Sequence, residues 1–251
     1  MRPNGCWRGS IKVMVFDGLY LARIKRSEVD VPHIAVGICH TGESTHTGIV
    51  HRDPDGAVRF LHQGFHYCTR NEPVGDSVAE FNGLFLFVVP NLEADRARNV
   101  AGLCRLIARR LTDNNLPGFP YSLRLDDEAR FDEHTGLLAL ANGVGLSCST
   151  FVILVFRSAR IRFIDFDNWR IRDGDIDAQR RLVGILEGWQ AEGRASRDHV
   201  DAVRSEIGCV RARPEEVAGI CATELPGRFD VAQRAGVAVL AALNDLRNAL
   251  S

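Results

Sequence analysis

The reactive side chains of this 251-residue chain are unevenly placed. Six of its eight histidines fall between His33 and His66, and four of them lie in the stretch HTGIVHRDPDGAVRFLHQGFH (46–66). The seven cysteines, at 6, 39, 68, 104, 148, 209 and 221, are scattered. Cys148 differs from the others in its approach. In NGVGLSCSTFV it follows two glycines and a serine and precedes an apolar run. With Ser147 as a helix cap, Cys148 falls in the first helical turn. There the unpaired backbone N–H groups and the positive end of the helix dipole favour thiolate, and the same amides can donate to a developing oxyanion. A cysteine nucleophile also needs a base and a group that orients the base. The histidine-rich stretch offers both, His46 as base and His62 as orienter.

That pairing depends on the geometry of RDPDGAV. Asp53 suits the position before a type I turn, Pro54 the first central position, and Gly56 a positive φ. A type I turn closed by such a glycine is a three-residue hairpin loop with a bulge. Asp53 then faces Ala57, Val50 faces Phe60, Gly48 faces His62 and His46 faces Gly64. Side chains alternate along a strand, so His46, Gly48, Val50, Val58, Phe60, His62 and Gly64 share one face. This puts His46 and His62 diagonally adjacent, with His66 one step further along. Val50, Val58 and Phe60 make this the expected core face, with His51 and Gln63 pointing the other way. A two-residue loop would instead bring Gln63 beside His46.

The elements that carry these residues follow from periodicity. IKVMVFDGLYLARI (11–24), HIAVGICH (33–40), HTGIVH (46–51), AVRFLHQ (57–63) and LFLFVVP (84–90) read as strands, being rich in Val, Ile and Phe and bounded by Gly, Pro and Asp. Residues 92–111 have helical spacing, with acids early and arginines late. Residues 112–122 read as a loop. The run GVGLSCSTFVILVFRS (143–158) fits either a strand or a buried helix, and ARIRFIDFDNW (159–169) reads as a strand. After Arg172 the texture turns helical, over 176–192, 198–207, 214–222 and 230–250. The expected class is α+β: a catalytic domain over 1–170 and a helical C-terminal extension, 171–251, packed on it.

Composition narrows the function classes. Net charge is −1, so bulk electrostatics do not point to nucleic acid or a membrane surface. Only Lys12 and Lys25 are lysines; the arginines that make up the other basic residues are spread along the chain. No C-x-x-C occurs, which argues against a zinc finger, and an odd, scattered cysteine set argues against a disulfide framework. MRPNGCWRGS has no apolar run behind its charges, and no stretch is long and apolar enough to span a bilayer. The expectation is a reducing, cytoplasmic setting with no transmembrane segment. Cys6, Cys39, Cys68, Cys104, Cys209 and Cys221 then read as small structural residues. No cofactor is expected.

HTGIV (46–50), FLHQ (60–63) and CSTFV (148–152) also have a family resemblance. In type, order and approximate spacing they resemble the circularly permuted NlpC-type branch of the papain-like fold, which includes the lecithin:retinol acyltransferase group. The resemblance covers roughly residues 44–156. It implies an antiparallel sheet packed against a Cys-bearing helix, with His46 as base, His62 as third residue and Cys148 as nucleophile. It implies a thiol-dependent hydrolase or acyltransferase acting on an amide, peptide or ester bond, with a small-molecule, peptide or acyl substrate. The chain departs from the pattern in its longer lead-in, in CHTGES just upstream, where His40 competes with His46, and in the helical tail.

Two other readings use the same residues. His46, His62 and His66, with Cys39 or Cys68, could converge on a metal ion, although no ligand pair has a standard spacing. Alternatively, the chain is a non-catalytic binding module, with IRFIDFDNW (161–169) and the helical tail as the partner surface.

Overall fold

The computed structural model describes residues 24–27, 31–42, 44–126, 128–140 and 145–250. Cys6 and nearly all of the strand expected over 11–24 lie outside these.

Six strands form one antiparallel sheet. They are β1 (Ile24–Lys25), β2 (Ile34–Thr41), β3 (Ser44–Arg52), β4 (Val58–Phe65), β5 (Cys68–Pro73) and β6 (Phe85–Val88). Their spatial order is β1–β6–β2–β3–β4–β5. A two-stranded pair, β7 (Arg130–Phe131) and β8 (Leu138–Ala139), stands apart from it. The helices are α1 (Val74–Glu80), α2 (Ala94–Asp113), α3 (Cys148–Ser158), α4 (Asp175–Ala191), α5 (Arg197–Ser205), α6 (Pro214–Cys221) and α7 (Phe229–Leu250).

The β3–β4 hairpin has the register that its turn residues predict. Asp53 N–H donates to Ala57 O at 2.8 Å, Gly56 N–H donates to Asp53 O at 2.9 Å, and Gly56 takes φ +89°. Val50 faces Phe60 and Ile49 faces Leu61. The expected core face needs correction. The larger core lies on the opposite face, where Val36, Ile38, Ile49, Leu61 and Leu86 meet α2, α3, α6 and α7. The face carrying His46 and His62 holds a smaller cluster of Ala35, Cys39, Val50, Phe60, Phe85 and Phe87, closed by Val74 of α1. Both faces are therefore buried, and His51 and Gln63 are fully enclosed rather than turned to water. Alternation identifies which residues share a face, but with apolar residues on both it does not rank the faces.

Two elements had no clear signal. Strand β5, CTRNEP, is polar because it is an edge strand hydrogen-bonded only to β4. Helix α1 is a short helix directly behind it. The strand expected over 159–169 does not form. Ile161 and Phe163 are buried, but Phe163 packs with its ring tilted on Phe156 of α3, centroids 4.4 Å apart. A single parallel bridge joins Ile164 to Gly227, and Phe166–Asn168 is a 3-10 turn. The β-like pattern here reflects burial against a helix, not pairing in a sheet.

The helical region after Arg172 is continuous with this core. Val217 and Ile220 of α6 and Val239 and Leu243 of α7 belong to the same cluster as the sheet. A buried ion network fixes the approach to α6. Asp175, with no exposed surface, accepts from Arg172 Nε at 3.0 Å and from Arg213 Nη2 at 2.9 Å. Arg172 also pairs with Glu216. Burial alone would raise the Asp175 carboxyl, but the two guanidiniums hold it below its ordinary value.

Candidate active site

Helix α3 begins as its sequence predicts. Ser147 caps it, accepting from Thr150 N–H at 3.2 Å, while the Thr150 hydroxyl accepts from Ser147 N–H at 2.7 Å. Cys148 is the first helical residue and is partly exposed. Gly145 makes the close approach possible. It takes φ +149°, and a Cβ there would lie 2.2 Å from Pro120 O. The next residue, Leu146, donates to that same carbonyl at 2.8 Å.

The start of α3 meets the sheet where β3 and β4 part. Their register runs from Arg52–Val58 to Ile49–Leu61 and no further. Beyond that point the backbone N–H of Thr47 donates to the Cys148 sulfur. Thr47 directly follows His46, so the thiol is tied to the strand that carries the expected base.

His46 Nε2 lies 2.8 Å from His62 Nδ1, and the rings meet edge to face. Gly48 makes room for this contact, since a Cβ there would lie 2.5 Å from His62 Cβ and 2.8 Å from Leu61 O. His62 in turn lies over Phe60, ring on ring at 4.4 Å. Its Nε2 is 3.5 Å from Glu72 Oε1, an ion-pair distance, and the same carboxylate oxygen accepts from the Ser77 hydroxyl at 2.7 Å. The order is thus His46, His62, Glu72, Ser77. His46 Nδ1 has no hydrogen-bond partner among the described residues.

The environment tunes these groups. Burial, with the neighbouring charges of His62 and Arg70, pushes His46 down to about 3. The neighbouring His62 imidazole, helped by Ser77 and Arg70, brings Glu72 down to about 2. Burial pushes the Cys148 thiol up, against the pull of the Thr47 N–H, the Arg211 charge and Ser149. A raised thiol and a lowered imidazole are both neutral at pH 7, not a thiolate and an imidazolium.

His46, His62 and Cys148 all line one cavity of about 360 Å³. Its other walls include Phe65, Phe81, Tyr121, Leu123 and Leu182, with Arg70, Glu80 and Arg211 as charged groups.

The chain matches no family model, no curated protein and no solved structure. Its site is therefore characterised by its own geometry.

The competing histidines are separated. His40 turns toward Asn244 and Arg247 of α7. His51 bonds Asn71 at 2.9 Å. His66 is not one step beyond the pair, as expected. It accepts from Tyr121 N–H at 3.2 Å and packs on the His199 ring at 4.4 Å, because β4 ends at Phe65 and the chain turns. Gln63 is occupied elsewhere, donating to Phe65 O and Phe119 O and accepting from Thr69. His62, not Gln63, therefore stands beside His46. Of the cysteines grouped with them, Cys39 donates to His46 O at 3.6 Å and Cys68 lines the cavity. Among the described residues, no three His, Cys, Asp or Glu side chains group as metal ligands would.

Sequence reasoning missed Glu72, Arg211 and Tyr121. Glu72 lies opposite Phe60 on the edge strand. A signal for it existed, because an acid in the strand after FLHQ alternates onto the face of His62. Arg211 and Tyr121 had none, coming from loops distant in the chain.

Proposed function

We propose that the protein is a thiol-dependent hydrolase or acyltransferase of the permuted papain-like type, acting on an amide, peptide or ester bond. One observation carries this reading. Cys148, at the start of α3, accepts the Thr47 N–H and lines the same cavity as His46, whose Nε2 is held by His62.

The Glu72 carboxylate, 3.5 Å from His62 Nε2, favours a proton on that nitrogen, so His62 Nδ1 accepts and His46 Nε2–H donates. The lone pair of His46 then sits on Nδ1. As a substrate carbonyl approaches, Nδ1 takes the thiol proton and the sulfur attacks the carbonyl carbon. Charge collects on the carbonyl oxygen, where the unpaired amides at the start of α3 can donate to it. The tetrahedral species collapses as His46 gives its proton to the departing nitrogen or oxygen. An acyl-thioester on Cys148 remains. Water or another acceptor, deprotonated by His46, attacks this thioester, and the thiol recovers its proton as the acyl group leaves.

The test is intact-protein mass spectrometry after incubation with p-nitrophenyl acetate. The expected result is one acyl group, mapped to Cys148, that turns over with time and is absent from Cys148→Ala and strongly reduced in His46→Ala. Equal acylation of wild type and Cys148→Ala would overturn the assignment.

A further inference from the structure

The cavity contains a cation that is unpaired among the described residues. The guanidinium of Arg211 lines it together with Cys148. Among the described residues it has no carboxylate within 4.0 Å and no side-chain hydrogen bond. The other arginines nearby are engaged. Arg70, in the same cavity, is 3.5 Å from Glu80. Arg172 and Arg213 are locked to Asp175.

Arg211 is not merely a loose surface residue. It is half-buried. Its carbonyl accepts from Trp169 Nε1 at 3.0 Å and from Arg172 Nη2 at 2.7 Å. The backbone is thus clamped from two sides while the side chain is left in the cavity. A half-buried charge with no counter-ion costs free energy unless a ligand supplies the opposite charge. Arginine suits a planar carboxylate in particular, because its N–H groups match the two oxygens.

We propose that Arg211 is the anion-binding group of this cavity and that the acyl substrate carries a carboxylate close to the bond Cys148 attacks. The inference rests on Cys148 as nucleophile and adds the substrate class. Phe65, Leu123 and Leu182 supply apolar wall for the rest of the acyl group. Glu80 is already paired with Arg70, so among the described residues Arg211 is the charge that an anion would meet.

Iodoacetate and iodoacetamide separate the two claims, because they alkylate the same sulfur and differ in one negative charge. Rates are read at Cys148 by peptide mapping and expressed as the iodoacetate-to-iodoacetamide ratio, relative to free cysteine. An effect of Arg211 on the thiol itself cancels in this ratio. Wild type is expected to exceed the free-cysteine ratio about tenfold at low salt, within the range for charge focusing in a cleft, and the excess is expected to fade as salt screens it. Arg211→Gln should return the ratio to that of free cysteine, and Arg211→Lys should keep part of the excess. In wild type, succinate should also protect Cys148 from iodoacetamide, an arm that does not depend on a variant folding. A wild-type ratio equal to that of free cysteine, with iodoacetamide still modifying Cys148, overturns the anion site and leaves the nucleophile standing. Failure of both reagents at Cys148 overturns both.

Discussion

His46 Nε2 and His62 Nδ1 lie 2.8 Å apart, and a contact that short holds one proton. Which ring owns it depends on the far side of His62, where the Glu72 carboxylate lies 3.5 Å from Nε2. The negative carboxylate favours a proton on the nearby His62 Nε2, which leaves the shared proton to His46. Glu72 is thus a positioning residue, acting on His46 through His62.

Glu72→Gln removes the charge but keeps the shape, so either tautomer of His62 becomes available. Nitrogen-correlated NMR of the imidazoles should show His62 largely as the Nε2–H tautomer in wild type and as a mixture in the variant. The turnover rate of the acyl group should fall about tenfold with little change in apparent affinity, in the range of a lost orienting group. An unchanged His62 tautomer would end this role for Glu72.

The thiol and imidazole should rest as a neutral pair, since burial raises Cys148 and lowers His46. Alkylation of Cys148 by iodoacetamide should therefore still be climbing as pH rises past the ordinary thiol range. A flat plateau from pH 5 to 8 would instead mean a preformed thiolate–imidazolium pair.

Gly48→Ala would place a methyl 2.5 Å from His62 Cβ and 2.8 Å from a backbone oxygen. Strand β4 would have to move. A loss of about 1–3 kcal/mol is expected, the usual cost of overpacking, together with loss of acylation at Cys148. Denaturant titration and acylation measured side by side check this; an active variant of wild-type stability would contradict it.

Acid should destabilise the fold. His46 titrates near 6.5 when unfolded and is pushed to about 3 when folded. Between those values the unfolded chain binds the extra proton, so its contribution is intact above about pH 6.5 and falls toward pH 3, by up to ~1.4 kcal/mol per pH unit. His66, lowered to about 4, acts in the same direction. Thermal melts from pH 7 to 4 should show a steep decline that is shallower in His46→Gln. Identical slopes would show that His46 is not the titrating group.

Asp175→Ala should cost about 3–5 kcal/mol, because it leaves Arg172 and Arg213 partly buried without their shared carboxylate. The same change should loosen the segment that carries Arg211. Melting temperature reports the first effect and a fall in the iodoacetate preference the second. A variant unchanged in both would remove the network from the account.

The features readable in the chain were local ones. DPDG dictated its own turn, the turn set the β3–β4 register, and the register placed His62 rather than Gln63 beside His46. Ser147 and Thr150 capped α3 by contacts within four residues, which put Cys148 in the first turn. These outcomes depend on backbone geometry over short spans, so residue order alone determines them. Tertiary structure decided what distant segments contribute. It brought the start of α3 to Thr47, set Glu72 behind His62 from a polar edge strand, and introduced Arg211 between the C-terminal helices. It also buried both faces of the sheet and left 159–169 without a strand partner. Hydrophobic periodicity records that a residue is buried but not what it is buried against, and the chain's own alternation could not choose among those partners.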